Sequence, residues 1–280
     1  LVSRAGVMPV STTWDSPGPM ARNVADIAAV MNVIAGFDPE DPAYGEWEWT
    51  SPAAAVGGSP VHEFDEVDYV EALDRDALRG ARLGVCWHMW GIDEDADELA
   101  WEAIDRLTAG LDVEIVENVP MPPLDDPEAL AGSEEMVNAE FTAGMATFFA
   151  RYMEIGQEGL VETEWALPLD DETYLETLGR VVTASREAGV DAVMDEYGLD
   201  ALISPTTGVP SRIADREPFP GAASKVSAIS GYPGITVPMG YVRGLPVGLY
   251  LVGRAFSERQ LIGYAYAIEQ LLRARVPAEP

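Results

Sequence analysis

The passage from Arg82 to Val116 narrows the fold more than any other. Arg82-Leu83-Gly84-Val85-Cys86-Trp87 is an apolar run of strand length. Asp93-Glu94-Asp95-Ala96-Asp97-Glu98 follows, with acids suited to the positive end of a helix. Leu99, Ala103, Ile104 and Leu107 continue one helical stripe, Gly110 ends it, and Val113-Glu114-Ile115-Val116 reads as a second strand. Strand, helix and strand joined by short connections form a βαβ unit, whose strands pair in parallel. The chain must therefore hold a sheet that is at least partly parallel.

The rest of the chain adds antiparallel and helical parts. Gly231-Tyr232-Pro233-Gly234 turns into Ile235-Thr236-Val237-Pro238, and Gly244-Leu245-Pro246 turns the chain again into Val247 through Gly253, which predicts an antiparallel pair. At the beginning, Pro17-Gly18-Pro19 excludes a helix before Pro19, with Gly18 free to take a positive φ. Val24, Ile27, Ala28, Met31 and Ile34 then mark a helix that Gly36 stops, with Arg22 and Asp26 four apart on one flank. Helices are expected from about 127 to 155, 171 to 197 and 222 to 231, and a last one starts near Ser257 with that serine as its cap. Of the 171–197 helix, Leu175, Leu178, Val182 and Val190 are inward candidates. A stretch rich in Gly, Pro, Ser and Ala over about 43–65 reads as an excursion over the surface. The expected fold is α/β: one mixed β-sheet flanked by helices, without a linker separating two domains.

Composition narrows the setting. Asp and Glu number 48 against 17 Lys and Arg, a formal charge of −31, and Lys225 is the only lysine. The acids are spread from Asp38 to Glu279, so they describe a whole surface and not a tail. Such a coat repels itself at low salt, but at about 1 M salt the Debye length is about 3 Å and the repulsion fades. The pattern reads as adaptation to a salt-rich cytoplasm, as in halophilic archaea; a basic partner is the competing explanation. Direct nucleic-acid binding is disfavoured, since it needs clustered Lys and Arg. No apolar run reaches the roughly 20 residues that span a bilayer, so no membrane partner is expected. One cysteine, Cys86, allows no internal disulfide and fits a cytoplasmic protein. The chain opens Leu1-Val2-Ser3-Arg4 and reads as a fragment.

Few residues announce chemistry. There is no Gly-x-Ser-x-Gly elbow, phosphate loop or dinucleotide fingerprint, and His62 and His88 lack the spacing of metal ligands, so neither a metal nor a cofactor is expected. The strand Leu199–Ile203 runs directly into Ser204-Pro205-Thr206-Thr207, placing hydroxyls past a strand's carboxyl end, where open α/β sheets build clefts. A hydroxyl-rich turn would look the same.

Two spaced motifs resemble the amidase signature family. Leu1-Val2-Ser3-Arg4-Ala5-Gly6-Val7-Met8-Pro9, then Asp15-Ser16-Pro17-Gly18-Pro19-Met20-Ala21-Arg22 and Asp26, resemble the family just downstream of its signature. Gly231 through Gly240, Gly244-Leu245-Pro246-Val247-Gly248, Gly253-Arg254 and Ser257-Glu258 look like its closing hairpin and last helix, and Ser204-Pro205-Thr206 matches its central pocket strand. The likeness covers essentially the whole chain.

The resemblance implies hydrolysis of a carboxamide by a Ser, cis-Ser, Lys triad, with a Gly-Ser-rich loop as oxyanion hole. All of these fall before Leu1, so none is assigned to a residue here, and Lys225 does not match the catalytic lysine. Residues 1–280 would be the C-terminal portion of a single amidase domain, inactive alone and taking a small-molecule amide as partner. Ser204, Thr206 and Thr207 are the implied substrate-facing residues, and Asp15 and Arg22 the ones that brace the site. The closing segment looks more like stand-alone amidases of the peptide-amidase sort than like the A subunit of a glutamyl/aspartyl-tRNA amidotransferase. A non-catalytic small-molecule-binding relative is a third class, and a homo-oligomer stays open.

Overall fold

The computed structural model describes residues 1–36, 38–41, 67–121, 124, 126–153, 167–210 and 223–276. The expected surface excursion and His62 lie outside these residues.

Five strands make one sheet in the order β2-β1-β3-β5-β4, with β1 at Arg82–Cys86, β2 at Glu114–Val119, β3 at Ala201–Pro205, β4 at Gly234–Val242 and β5 at Leu245–Val252. Strand β1 pairs in parallel with both β2 and β3, as the βαβ reading requires. Strands β3 and β5, and β5 and β4, pair antiparallel. Arg243 and Gly244, at φ 51° and 79°, form the tight β4–β5 turn. The result is the mixed sheet flanked by helices expected from the sequence.

Helix α1 spans Val24–Ile34. It begins at Asn23, later than the earliest start Pro19 allows, because Asn23 accepts from the Asp26 N–H at 2.8 Å and donates its amide to the Asp26 carboxylate at 2.8 Å. Asp26 is thereby used in capping, and Arg22, lying before the helix, does not form the expected pair with it. Gly18 does not use a positive φ, and Ala35, not Gly36, leaves the helix in an extended conformation that bridges to Val2.

Helix α2 spans Glu94–Leu111; Asp93 caps it by accepting from the Asp95 and Ala96 N–H groups. It ends one residue past Gly110, with Asp112 in the left-handed region. Helix α3 spans Ser133–Phe148 and α4 Glu172–Ser185. The expected 171–197 helix is interrupted by a π-helical segment, Arg186–Asp191, before α5 at Ala192–Tyr197. A side chain at Gly189 would stand 2.5 Å from the Ala184 carbonyl oxygen, so the wide turn needs glycine there. Helix α6 is Lys225–Ser230 and α7 is Glu258–Leu272. Ser257 does not cap α7; its hydroxyl donates to the Arg254 carbonyl at 2.8 Å.

The main core joins β1, β3 and β5 to α2 and α7 through Leu83, Leu202, Ile203, Leu251, Ile104 and Ile268. A smaller cluster of Met136, Ala139, Tyr174 and Leu178 lies between α3 and α4, with Trp14 packed against it. Leu178 and Val190 are buried as expected, whereas Leu175 and Val182 are partly buried at its margin. Among the described residues, no helix is long and apolar enough to cross a membrane.

Candidate active-site cleft

A cleft of about 1120 Å³ separates the opening segment from strand β4, the edge of the sheet. One wall is Thr13 through Asn23; the other carries residues of α6, β4 and β5. Two stretches some 200 residues apart therefore meet across one space.

The first wall is held from behind. The Asp15 carboxylate accepts from the Val10 and Ser11 N–H groups at 2.8 and 3.0 Å, closing the turn before Pro17. Arg4 donates to the Thr12 carbonyl and pairs with Asp41 at 3.1 Å, with the Asp41 side chain only 2% exposed. Arg22 lines the cleft but is exposed, and no hydrogen bond or ion pair within the described residues holds it.

Alternation in the strands builds the second wall. On β4, Ile235, Val237 and Met239 are more buried, while Gly234, Thr236 and Pro238 are exposed. Register puts Thr236 beside Tyr250 of β5, and Tyr250 beside Ser204 of β3, so three hydroxyls form a row across the sheet. Thr206 Oγ1 lies 3.1 Å from Thr236 Oγ1. The Tyr250 phenol donates to Ser227 Oγ of α6 at 2.7 Å, and burial pushes its pKa up against the lowering effect of that serine. Gly234 is what leaves room for this pair: a Cβ there would meet Tyr250 Oη at 2.0 Å and Ser227 Oγ at 2.7 Å.

Of the residues chosen from sequence, Ser204 is fully buried and donates to the Pro205 carbonyl at 2.9 Å. Thr206 stands beside Thr236, which lines the cleft. Thr207 is half-buried in the loop whose Val209 N–H reaches the α2 cap Asp93 at 3.4 Å. Lys225 is exposed at the start of α6.

Sequence reasoning missed Thr236, Ser227, Tyr250 and Arg186, all on the cleft. Period-two alternation could have singled out Thr236 and Tyr250. Arg186 carried no signal, because the π-helical turn that aims it inward depends on tertiary packing. Its Nε donates to the Ser230 carbonyl at 2.5 Å, and its guanidinium lies 6.0 Å from the Tyr232 ring centre. Tyr232 donates to Asp191 at 2.5 Å; burial first, and that carboxylate second, raise the phenol pKa, so it stays a donor.

A mixed sheet flanked by helices, with a cleft along one edge, marks the chain as an α/β protein. The chain belongs to the amidase family, whose model matches residues 1–262. It is similar to the native peptide amidase of Stenotrophomonas maltophilia, with a TM-score of 0.77 and 34% identity over 99% of this chain and 57% of that one. A probable amidase of Arabidopsis thaliana is 29% identical over 306 residues, covering 99% of this chain and 52% of its own. The A subunit of the glutamyl-tRNA(Gln) amidotransferase of Thermoanaerobacter pseudethanolicus is 27% identical over 300 residues, covering 96% and 57%. The chain thus spans about half the length of the curated relatives it matches.

Proposed function

We propose that residues 1–280 are the C-terminal portion of a single amidase domain that hydrolyses a carboxamide C–N bond, giving a carboxylate and ammonia or an amine. The observation that carries this is the meeting of the Asp15–Arg22 motif and the Tyr232–Gly248 hairpin across one cleft. The nucleophile, its cis-serine partner and the lysine belong to residues preceding Leu1, so this chain supplies the substrate-facing wall. Of the residues read as substrate-facing, Thr206 offers its hydroxyl to the amide together with Thr236, whereas the fully buried Ser204 and the half-buried Thr207 support that rim; Asp15 braces the opposite wall, and Arg22 lies exposed along it without bracing it. A peptide amide is the substrate class this reading favours, in keeping with the 34% identity to a peptide amidase. The A subunit of an amidotransferase is the second reading, favoured by a relative of that kind matching 96% of the chain.

The acidic composition and the single, buried Cys86 support a cytoplasmic protein of a salt-rich cell. One experiment tests these proposals together: the complete protein and the 280-residue chain are assayed on small amides and peptide amides from about 0.1 to about 3 M KCl. The complete protein alone should release ammonia, increasingly well with salt, while the shorter chain does not. Turnover by the shorter chain overturns the assignment of the triad. A strict need for partner subunits favours the amidotransferase, and loss of activity at high salt overturns the halophilic reading.

A further inference from the structure

Glu140 lies on α3, outside the cleft, and is 0% exposed. Burying a carboxylate is costly unless its oxygens are satisfied. Here Oε2 accepts from Ser11 Oγ and, at 3.1 Å, from the Thr13 N–H. Thr13 Oγ1 reaches both oxygens at 2.9 and 3.0 Å, and Tyr174 of α4 donates to Oε1 at 2.9 Å. Among the described residues no ion pair reaches the carboxylate. Burial and the adjacent Glu140 charge push the Tyr174 phenol's pKa up, so it remains a donor.

Three of those four donor groups come from residues 11 and 13, more than 120 positions away, and the chain then enters the cleft wall at Thr13 and Trp14. The Trp14 N–H is in turn bonded to Ser11 Oγ at 3.0 Å. One helical turn beyond Glu140, Gly144 leaves room on the same face: a Cβ there would stand 2.7 Å from Pro9. Glu140 and Gly144 thus form a seat for residues 9–13. Packing of α3 on α4 does not require the charge, because Met136, Ala139, Tyr174 and Leu178 already supply an apolar contact.

We propose that Glu140 is the positioning residue of the cleft, holding residues 11–14 so that the Thr13–Pro19 wall stands at a fixed place opposite the hydroxyl row. Its effect on turnover rests on the amidase reading given above; its effect on the wall does not. Glutamine can keep the pattern, with its carbonyl toward the Thr13 N–H and its amide toward the Tyr174 and Thr13 hydroxyls, which can accept. Leucine keeps the volume and loses every bond.

The test uses Glu140→Gln and Glu140→Leu in the complete protein, with kcat and KM for a peptide amide and the near-ultraviolet circular dichroism of Trp14, identified by its loss in Trp14→Phe. Glu140→Leu should lower kcat by about 100-fold, the scale of a displacement of about 1 Å, and lose the Trp14 signal, whereas Glu140→Gln retains both. If Glu140→Leu keeps kcat and the Trp14 signal and changes only the melting temperature, the residue is a stability feature and the proposal falls. It falls also if Glu140→Gln behaves like Glu140→Leu. Where the wild-type complete protein hydrolyses no amide, the amidase reading fails, and the Trp14 signal alone still decides the role of Glu140.

Discussion

The two halves of the sheet are built from similar residues but treat their faces differently. In the parallel half the two inner strands are covered on both faces, β3 being buried along its whole length and β1 everywhere after Arg82, while the edge strand β2 is exposed or half-buried up to Val119. In the antiparallel half, β4 alternates, with Ile235, Val237 and Met239 toward the core and Gly234, Thr236 and Pro238 toward the cleft. Burial is thus concentrated in β1 and β3, and the cleft-lining side chains on one face of β4 and β5. A substitution in one half should be felt as unfolding, and in the other as altered binding.

The largest effect tests that division directly. Leu202 is 0% exposed at the centre of β3 and packs over Gly84, which has no side chain to fill a gap. Leu202→Ala should cost about 2–5 kcal/mol, toward the upper end because the cavity cannot collapse. Thr236→Ala, on the exposed face of β4, should change stability by about 0.5 kcal/mol or less while raising KM in the complete protein. Thermal unfolding and steady-state kinetics on the same two variants would check this. Equal losses of stability would erase the distinction between the halves.

Within the cleft half, the Tyr250–Ser227 pair gives a graded series. Gly234→Ala forces a Cβ to within 2.0 Å of the phenol oxygen, so Tyr250 must move and the pair breaks. Such overpacking costs about 1–3 kcal/mol. Tyr250→Phe removes only the 2.7 Å bond, worth about 1 kcal/mol or roughly a fivefold change in an equilibrium. The order Gly234→Ala above Tyr250→Phe, read in melting temperature and KM, should hold; a silent Gly234→Ala would mean that the close approach is unimportant.

The same contrast explains what could be read before the structure. The βαβ unit was legible because Leu83 to Val116 combine a strand run, a helix period and a glycine stop, signals that local chemistry imposes. The β4–β5 hairpin was legible from Gly244. Caps were harder: Ser257 has a capping residue's identity but spends its hydroxyl on the Arg254 carbonyl. The Asp15–Arg22 motif points to the first cleft wall, although the contacts that shape it, of Thr13 with Glu140 and of Arg4 with Asp41, cross distances that no window along the chain can see. Arg186 depends on a π-helical turn, and Tyr250 on its register with Thr236 and Ser204. Of the hydroxyls after β3, Thr206 stands beside the cleft residue Thr236, and tertiary pairing, not the local sequence, brings Thr236, Tyr250 and Ser227 onto the cleft.

The smallest expected effect lies on α2, the helix that packs on both β3 and β4 and so ties the two halves together. Asp97 in its first turn accepts from the Gly91 N–H at 3.0 Å through Oδ2, while its Oδ1 is buried without a hydrogen-bond partner. Burial raises the carboxyl's pKa; the Gly91 bond opposes this, and Asp93 and Glu94 reinforce it. With the folded value above the unfolded one, the folded state keeps a proton that the unfolded chain has already released. Stability contributed at this site is therefore greatest below the unfolded pKa and falls as pH rises through the window up to the folded one. Asp97→Asn keeps an oxygen for Gly91 and cannot ionise. Melting temperatures of both proteins at constant high salt, from about pH 3.5 to about pH 7, should show the wild type losing ground to the variant as pH rises. The difference isolates Asp97 from the many other carboxylates, including Asp38 and Asp68, whose lowered pKa values act in the opposite direction. A difference independent of pH would mean that the orphan oxygen is hydrated, and that the junction between the two halves carries no titratable strain.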